Sequence, residues 1–353
     1  MDVVSILTEA AAKGASDVFI VAGLPLSLKI NGIIQESDDG KLLPPQTNEL
    51  IEGIYKLAGD RDITMLRNSG DDDFSFALRG VSRFRVSTYK QRGSLAAVVR
   101  IIAFSLPDPK ELGIPDSIIS LTRYKKGMIL VTGPAGSGKS TTLACMIDHI
   151  NSTERKHIIT LEDPLEFLHS HKKSIVSQRE IVTDTVSYLT ALRAALRQSP
   201  DVILLGEMRD YETINTAMTA AETGHLIIST LHTLGASNTI DRIIDVFPPN
   251  QQHQIAIQLS MVLDAVVSQQ LIPDTSGNLL PAFEIMEVNP AVRNMIREGK
   301  VHQIDGLIST AASDSGMISM DSELLRLVKE GRISAKTAVI HAFNPDMLRR
   351  KLG

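Results

Sequence analysis

Met128-Ile129-Leu130-Val131-Thr132-Gly133-Pro134-Ala135-Gly136-Ser137-Gly138-Lys139-Ser140-Thr141-Thr142 is the stretch on which the fold turns. Its first four residues are continuously apolar, as a strand buried on both faces requires. Gly133 to Ser140 then complete the Gly-x-x-x-x-Gly-Lys-Ser phosphate-binding loop. Gly133, Gly136 and Gly138 allow backbone angles that side chains resist, so a buried strand can turn sharply into a helix. Such a turn aims successive N–H groups, and the positive end of the helix dipole, at one point in space. Gly133, Pro134, Ala135, Gly136, Ser137, Gly138, Lys139, Ser140 and Thr141 are therefore expected to surround the phosphates of ATP. Lys139 would reach the β- and γ-phosphates, and the Ser140 hydroxyl would sit on Mg²⁺.

Downstream, strand patterns at 128–132, 157–161, 202–206 and 226–230 alternate with helical ones, the mark of a parallel sheet. A helix over 186–198 gathers Leu189, Leu192, Ala195 and Leu196 on one face. After about residue 250 the chain reads as wholly helical. The strand Val202 to Leu205 runs into Gly206-Glu207, and strand ends in such a sheet lie beside the bound nucleotide. Glu207 is thus a candidate to hold Mg²⁺ or orient water, the alternative being a solvated helix-capping acid. Thr160 to Phe167 carries Glu162, Asp163 and Glu166 around Pro164, either an acidic surface turn or a group polarising water near the γ-phosphate. His225 and His232 flank the strand at 226–230. They make a poor metal pair, and hydrogen bonding near the γ-phosphate suits them better.

Ahead of the loop the chain is strand-rich. A helix over 3–13 precedes a strand at Asp17–Val21, and Leu26, Leu28 and Ile30 alternate up to an Asn31-Gly32 hairpin turn. A helix is expected over 46–68. Strands follow at Phe74–Leu78, Arg83–Lys90 and Leu95–Ile102, with turns at Arg79-Gly80 and Arg92-Gly93. This is a small α+β domain, 1–103, joined by a linker at 104–115, around Phe104-Ser105-Leu106-Pro107-Asp108-Pro109, to an ATPase domain at 116–353. Arg83 and Arg85 share a strand face, with Arg100 on the next strand. They are either ordinary surface charge or arginine fingers reaching a neighbouring subunit's nucleotide, which would require a closed ring.

At 353 residues, with 43% hydrophobic and 22% charged residues, the composition suits a globular protein of two domains. The net charge of −5 and 4% aromatic content disfavour a direct nucleic-acid partner. No apolar run approaches the ~18–20 residues of a membrane span. The start lacks a signal peptide's cationic flank, and the single Cys145 leaves no internal disulfide or multi-cysteine zinc site, so a cytoplasmic location is expected.

These motifs in this order resemble the type II/IV secretion ATPase superfamily, above all its pilus-retraction branch, over nearly the whole chain. Gly14-Ala15-Ser16-Asp17 is similar to the family's opening segment. Gly80 to Val86 and Gln91-Arg92-Gly93-Ser94 look like its N-terminal arginine strands. Glu162 to Phe167 resembles its Asp box, Gly206 to Asp210 its atypical Walker B motif, and Ala221 to Thr233 its His box. Ala291-Val292-Arg293-Asn294-Met295-Ile296-Arg297-Glu298 is similar to the family's Ala-Ile-Arg-Asn-Leu-Ile-Arg-Glu retraction motif, departing conservatively at Val292 and Met295.

The resemblance implies a RecA-like P-loop NTPase core, a PAS-like N-terminal domain, a helical C-terminal region and a homo-hexameric ring. It gives Glu166 the catalytic role, places Glu207 at Mg²⁺, and has Arg83, Arg85 and Arg100 contact nucleotide in trans. It further implies ATP hydrolysis coupled to type IV pilus disassembly and twitching motility. The partners would be an inner-membrane platform protein at the cytoplasmic face of the pilus base, and a paralogous retraction ATPase. The rival readings are a pilus-assembly or type II secretion ATPase, a RecA-type nucleic-acid motor, and a non-hydrolysing ring subunit. Assembly relatives commonly add a longer N-terminal region and a four-cysteine zinc element, which one cysteine and about 130 residues before the loop do not supply.

Overall fold

The structure is a computed structural model that describes residues 2–30, 32–102, 106, 108–311 and 316–352, with backbone alone at 38 and 39. The chain divides into two compact units, Met1–Ser105 with Glu166–Leu168, and Leu106–Leu165 with His169–Gly353.

The smaller unit contains α1 (Val3–Ala12), β1 (Asp17–Ile20), β2 (Pro25–Ile30), β3 (Ile33–Lys41), α2 (Pro44–Leu57), α3 (Thr64–Ser69), β4 (Asp71–Leu78), β5 (Ser82–Gln91) and β6 (Ser94–Ile102). Its strands form one antiparallel sheet in the order β3-β2-β1-β6-β5-β4. Strand alternation sends Val18, Phe84, Val86, Ala97 and Val99 to one face, where they pack with Leu7, Leu50, Ile51 and Ile54 of the helices. The sequence predicts a single helix over 46–68. The chain instead breaks after Leu57, because Gly59 and Asp60 take left-handed backbone angles, φ 80° and 55°. A buried acid closes this corner: Asp72 accepts from Arg61 at 2.8 and 2.9 Å and from the Tyr55 hydroxyl at 2.9 Å. The Arg61 guanidinium holds the Asp72 carboxyl below its usual range, and burial pushes the Tyr55 hydroxyl up to about 12. Of the expected hairpin turn, Asn31 lies outside the described residues.

The larger unit opens with α4 (Asp116–Ser120), β7 (Gly127–Thr132), α5 (Lys139–Thr153), β8 (His157–Glu162), β9 (Ile175–Glu180), α6 (Tyr188–Ala195), β10 (Val202–Leu205), α7 (Tyr211–Glu222) and β11 (Leu226–Leu231). It continues through α8 (Ala236–Asp245), α9 (Pro249–Val262), β12 (Leu263–Pro273), β13 (Leu279–Glu287), α10 (Pro290–Arg297), α11 (Ile304–Thr310), α12 (Met320–Lys329), α13 (Ala335–His341) and α14 (Pro345–Leu352). The sheet order is β13-β12-β7-β11-β10-β8-β9, parallel except for β13 at one edge. Successive residues of the central strands feed two cores. Ile129, Val131, Leu204 and Ile228 pack on α4 and α5, while Met128, Leu130, Ile203 and Leu205 pack on the α6–α9 side. Burial on both faces explains the unbroken apolar runs. Of the stretch 104–115, residues 104, 105 and 107 lie outside the described residues, whereas Ile114 is buried with Ile118 and Leu121 in the α5-side core.

The region after residue 250 is not wholly helical. β12 and β13 form an antiparallel hairpin, and β12 extends the sheet beside β7. The helix α9 passes directly into β12 between Val262 and Leu263 with no glycine or proline, so the sequence carries no punctuation there. Helices resume at Pro290. β9 is a further strand beyond the sequence reading; its run Ile175-Val176-Ser177-Gln178-Arg179-Glu180 is too polar to signal one.

Candidate active site

The phosphate loop leaves the C-terminal end of β7 and enters α5 at Lys139. Two of its glycines are required by what surrounds them. Gly133 has φ 143°, and a Cβ there would lie 2.2 Å from the Gln269 carbonyl oxygen. Gly138, the α5 N-cap, has φ 87°, and its Cβ would lie 2.9 Å from Gln269 Nε2. The wall of the loop is therefore β12, and Gln269 also accepts from Thr142 Oγ1 at 2.8 Å. Sequence reasoning missed Gln269, because nothing local marks a contact 127 residues away.

Lys139 is 8% exposed, and its Nζ donates to the carbonyls of Gly133 and Pro134, both at 2.9 Å. Two carbonyls of the loop thus hold the ammonium within the turn. The buried Ser137 Oγ has no hydrogen-bond partner among the described residues. Ser140 and Thr141 stand half-buried in the first turn of α5. A buried lysine, a buried hydroxyl and a turn whose glycines at 133 and 138 leave no room for a Cβ suit the phosphates of a nucleotide.

Glu207 follows β10 and His232 follows β11, so both stand at the same end of the sheet as the loop. Glu207 Oε2 meets Arg209 Nε at 2.6 Å and His232 Nε2 at 3.3 Å. The Thr230 hydroxyl donates to the Gly206 carbonyl, lacing the two strand ends together. A recess of about 400 Å³ opens here, with Glu207, Arg209, His232, Thr233 and Arg242 among its lining residues. Tyr188 is another residue the sequence reading passed over. A Cβ on Gly206 would lie 2.7 Å from the Tyr188 hydroxyl and 3.4 Å from Glu162 Cα. Burial, then the carboxylates of Glu207, Asp163 and Glu162, push this phenol well above its ordinary range, so it stays neutral.

The structure does not bring His225 to the loop. Its ring Nδ1 is 3.0 Å from the Ala220 carbonyl, and its backbone carbonyl accepts from Gly127, the first residue of β7. It therefore sits one strand length, roughly 20 Å, from His232, at the opposite end of the sheet. A contact with a γ-phosphate held by the same chain's loop is excluded, because β11 separates the two histidines. Glu166 is exposed and groups with the smaller unit, whereas the loop, Glu207 and His232 belong to the larger.

The arginines lie on the sheet face of the smaller unit turned away from its helices. Arg85 and Arg100 are direct cross-strand partners, and Arg100 Nε pairs with Asp17 Oδ1 at 3.0 Å. Arg83 is half-buried two residues from Arg85 on the same face. Asp17, Asp73, Ser87 and the facing arginines line a recess of about 340 Å³. Asp17 and Asp73 thus offset the like charges of the facing arginines within the recess.

The Ala291–Glu298 segment falls on α10. Arg293 donates to the carbonyls of Ser260 and Met261 at 2.6 and 3.1 Å and to Asp264 at 3.1 Å, capping the end of α9. No described helix is long and apolar enough to cross a membrane.

The family model described as type II/IV secretion system protein matches residues 2–323. The type IV pilus retraction ATPase PilT of Pseudomonas aeruginosa is 44% identical over 98% of this chain and 99% of its own length. A twitching motility protein of Neisseria gonorrhoeae is 41% identical over 98% of this chain and 92% of its own. A crystal structure of the pilus retraction motor PilT with bound ADP superposes with a TM-score of 0.90 at 46% identity, covering 99% of both chains. Matched by this family model over most of its length and by relatives end to end, the chain belongs to the type II/IV secretion system protein family.

Proposed function

We propose that this protein is an ATP hydrolase that drives type IV pilus retraction as a cytoplasmic homo-hexamer at the base of the pilus. The observation that carries the reading is the end-to-end match to a pilus-retraction ATPase, 44% over 98% of the chain, together with the phosphate cradle built from Gly133, Gly138, Lys139 and Gln269.

In this mechanism the loop N–H groups and Lys139 would bind the phosphates, and Ser140 and Glu207 would hold the metal. Mg²⁺, when bound, offsets phosphate charge. Glu166 orients the attacking water, and His232, already hydrogen-bonded to Glu207, reports on the terminal phosphate. Arg83, Arg85 and Arg100 of a neighbouring protomer supply positive charge to the transition state. Opening and closing of the two units with turnover would transmit force to an inner-membrane platform protein, with a paralogous ATPase as a further partner.

A deletion strain tests the cellular role. Cells with excess surface pili and no twitching support retraction, whereas bald cells would assign the protein to assembly.

A further inference from the structure

We propose that Ser268 and Glu284 are positioning residues for His232, holding from the sheet the turn that carries this histidine to the nucleotide. The inference rests on the reading of His232 given above, that it reports on the terminal phosphate.

Only Thr233, Leu234 and Gly235 separate His232 from α8. The first N–H groups of a helix need acceptors, commonly the side chain of the N-cap residue. Here the N-cap is Gly235, at φ 88°, which has no side chain to offer. A residue that could cap would not fit, because a Cβ at 235 would lie 3.3 Å from the Phe343 ring. The acceptors come instead from the β12–β13 hairpin. Gly235 N donates to Ser268 Oγ at 2.9 Å, and Ala236 N donates to Glu284 Oε1 at 2.9 Å. Ser268 and Glu284 are direct cross-strand partners, so two neighbouring side chains on one sheet face grip successive N–H groups of one turn.

Packing alone does not call for these two residues. On the same face Val266 and Met286 lie in the α6–α9 core, and Ile272 and Ala282 lie in the core under α12–α14. Ser268 and Glu284, 0% and 3% exposed, interrupt that apolar face where α8 begins. Burying a hydroxyl and a carboxyl there costs free energy unless each is hydrogen-bonded. Glu284 Oε2 accepts from Met320 N at 3.5 Å, which holds the carboxyl from the α12 side. The His232 side chain, by contrast, is 54% exposed and meets Glu207 at 3.3 Å, so its placement depends on the backbone that carries it. Gln269, next to Ser268, reaches Thr142 on the opposite face. One strand thus sets both the phosphate loop and the histidine turn.

The test measures affinity for ADP and for a non-hydrolysable ATP analogue in wild type, S268A, H232A and the double variant. S268A should bind ADP as wild type does and bind the analogue about fivefold more weakly, the loss expected for one hydrogen bond. A merely structural role would lower the melting temperature or both affinities together, and would leave their ratio alone. H232A should weaken the analogue at least as much, and S268A should cost clearly less when added to it than in wild type. E284L, which keeps the volume without an acceptor, should behave as S268A does. E284Q, whose carbonyl can still take the Ala236 N–H, should restore most of the discrimination. A wild-type ratio of the two affinities in S268A and E284L, or strictly additive effects of S268A and H232A, would overturn the proposal. An unchanged ratio in H232A itself would instead overturn the reading of His232 on which it stands.

Discussion

Thr142 Oγ1 donates to Gln269 Oε1 at 2.8 Å, tying the first turn of the phosphate-loop helix to a strand 127 residues further on. Gln269 is 3% exposed, and its own carbonyl and amide face the two tightest glycines of the loop. β12 thereby shapes the nucleotide cradle without contributing a motif residue to it.

Gln269→Ala should therefore damage both stability and binding. The buried Thr142 hydroxyl would lose its acceptor, a cost of about 1–3 kcal/mol, and the loop would lose one wall. Thermal denaturation should show the destabilisation, and a nucleotide titration should show weaker affinity. Wild-type affinity in a folded variant would show that the loop stands without β12.

Lys139→Ala and Glu166→Gln should fail in different ways. Removing the cradled ammonium should remove nucleotide binding and hydrolysis together. Glu166→Gln should keep binding and lose hydrolysis by about 10²–10⁴-fold, the usual range for a positioned base. Phosphate release and fluorescent-nucleotide binding, measured on both variants, separate the two outcomes. Near-native turnover in Glu166→Gln would remove that residue from the chemistry.

The C-terminal helices carry a pH dependence of their own. Glu284 on β13 is 3% exposed and accepts from the Ala236 N–H of α8 at 2.9 Å and the Met320 N–H of α12 at 3.5 Å. Burial raises its carboxyl from 4.5 to about 7 against these hydrogen bonds, and Asp305 and Asp321 add to the rise. A raised carboxyl pKa contributes stability at low pH that is lost as pH climbs from 4.5 through 7, up to about 3 kcal/mol. Wild type should thus lose melting temperature between pH 5 and pH 8 relative to Glu284→Gln, whose profile should be flatter. Parallel profiles would show that Glu284 is ionised throughout.

Much of this was legible because the deciding signals are local. The apolar run at 128–131 and the glycines after it announce a strand, a sharp turn and a helix, and β8, β10 and β11 begin and end within a residue of expectation. Glu207 and His232 could be placed beside the loop because a parallel sheet brings its strand ends together. His225 shows the limit of that logic: it belongs to the same motif, yet precedes the strand instead of following it. The β12–β13 hairpin was hidden by an unpunctuated helix-to-strand passage and by Ser268, Gln269 and Gln270 in the strand interior. Gln269 acts through a contact distant in sequence, so only the folded chain reveals it.

The central proposal is that two protomers would build each hydrolytic site, one bringing Lys139 and its loop, the other the facing Arg85 and Arg100. Its most direct test is to mix Arg85→Ala with Lys139→Ala, each expected to be inactive alone, and follow phosphate release. The account predicts that the mixture regains turnover, because some interfaces pair an intact loop with an intact arginine. A mixture as inactive as its components, in assemblies shown to contain both chains, would contradict it.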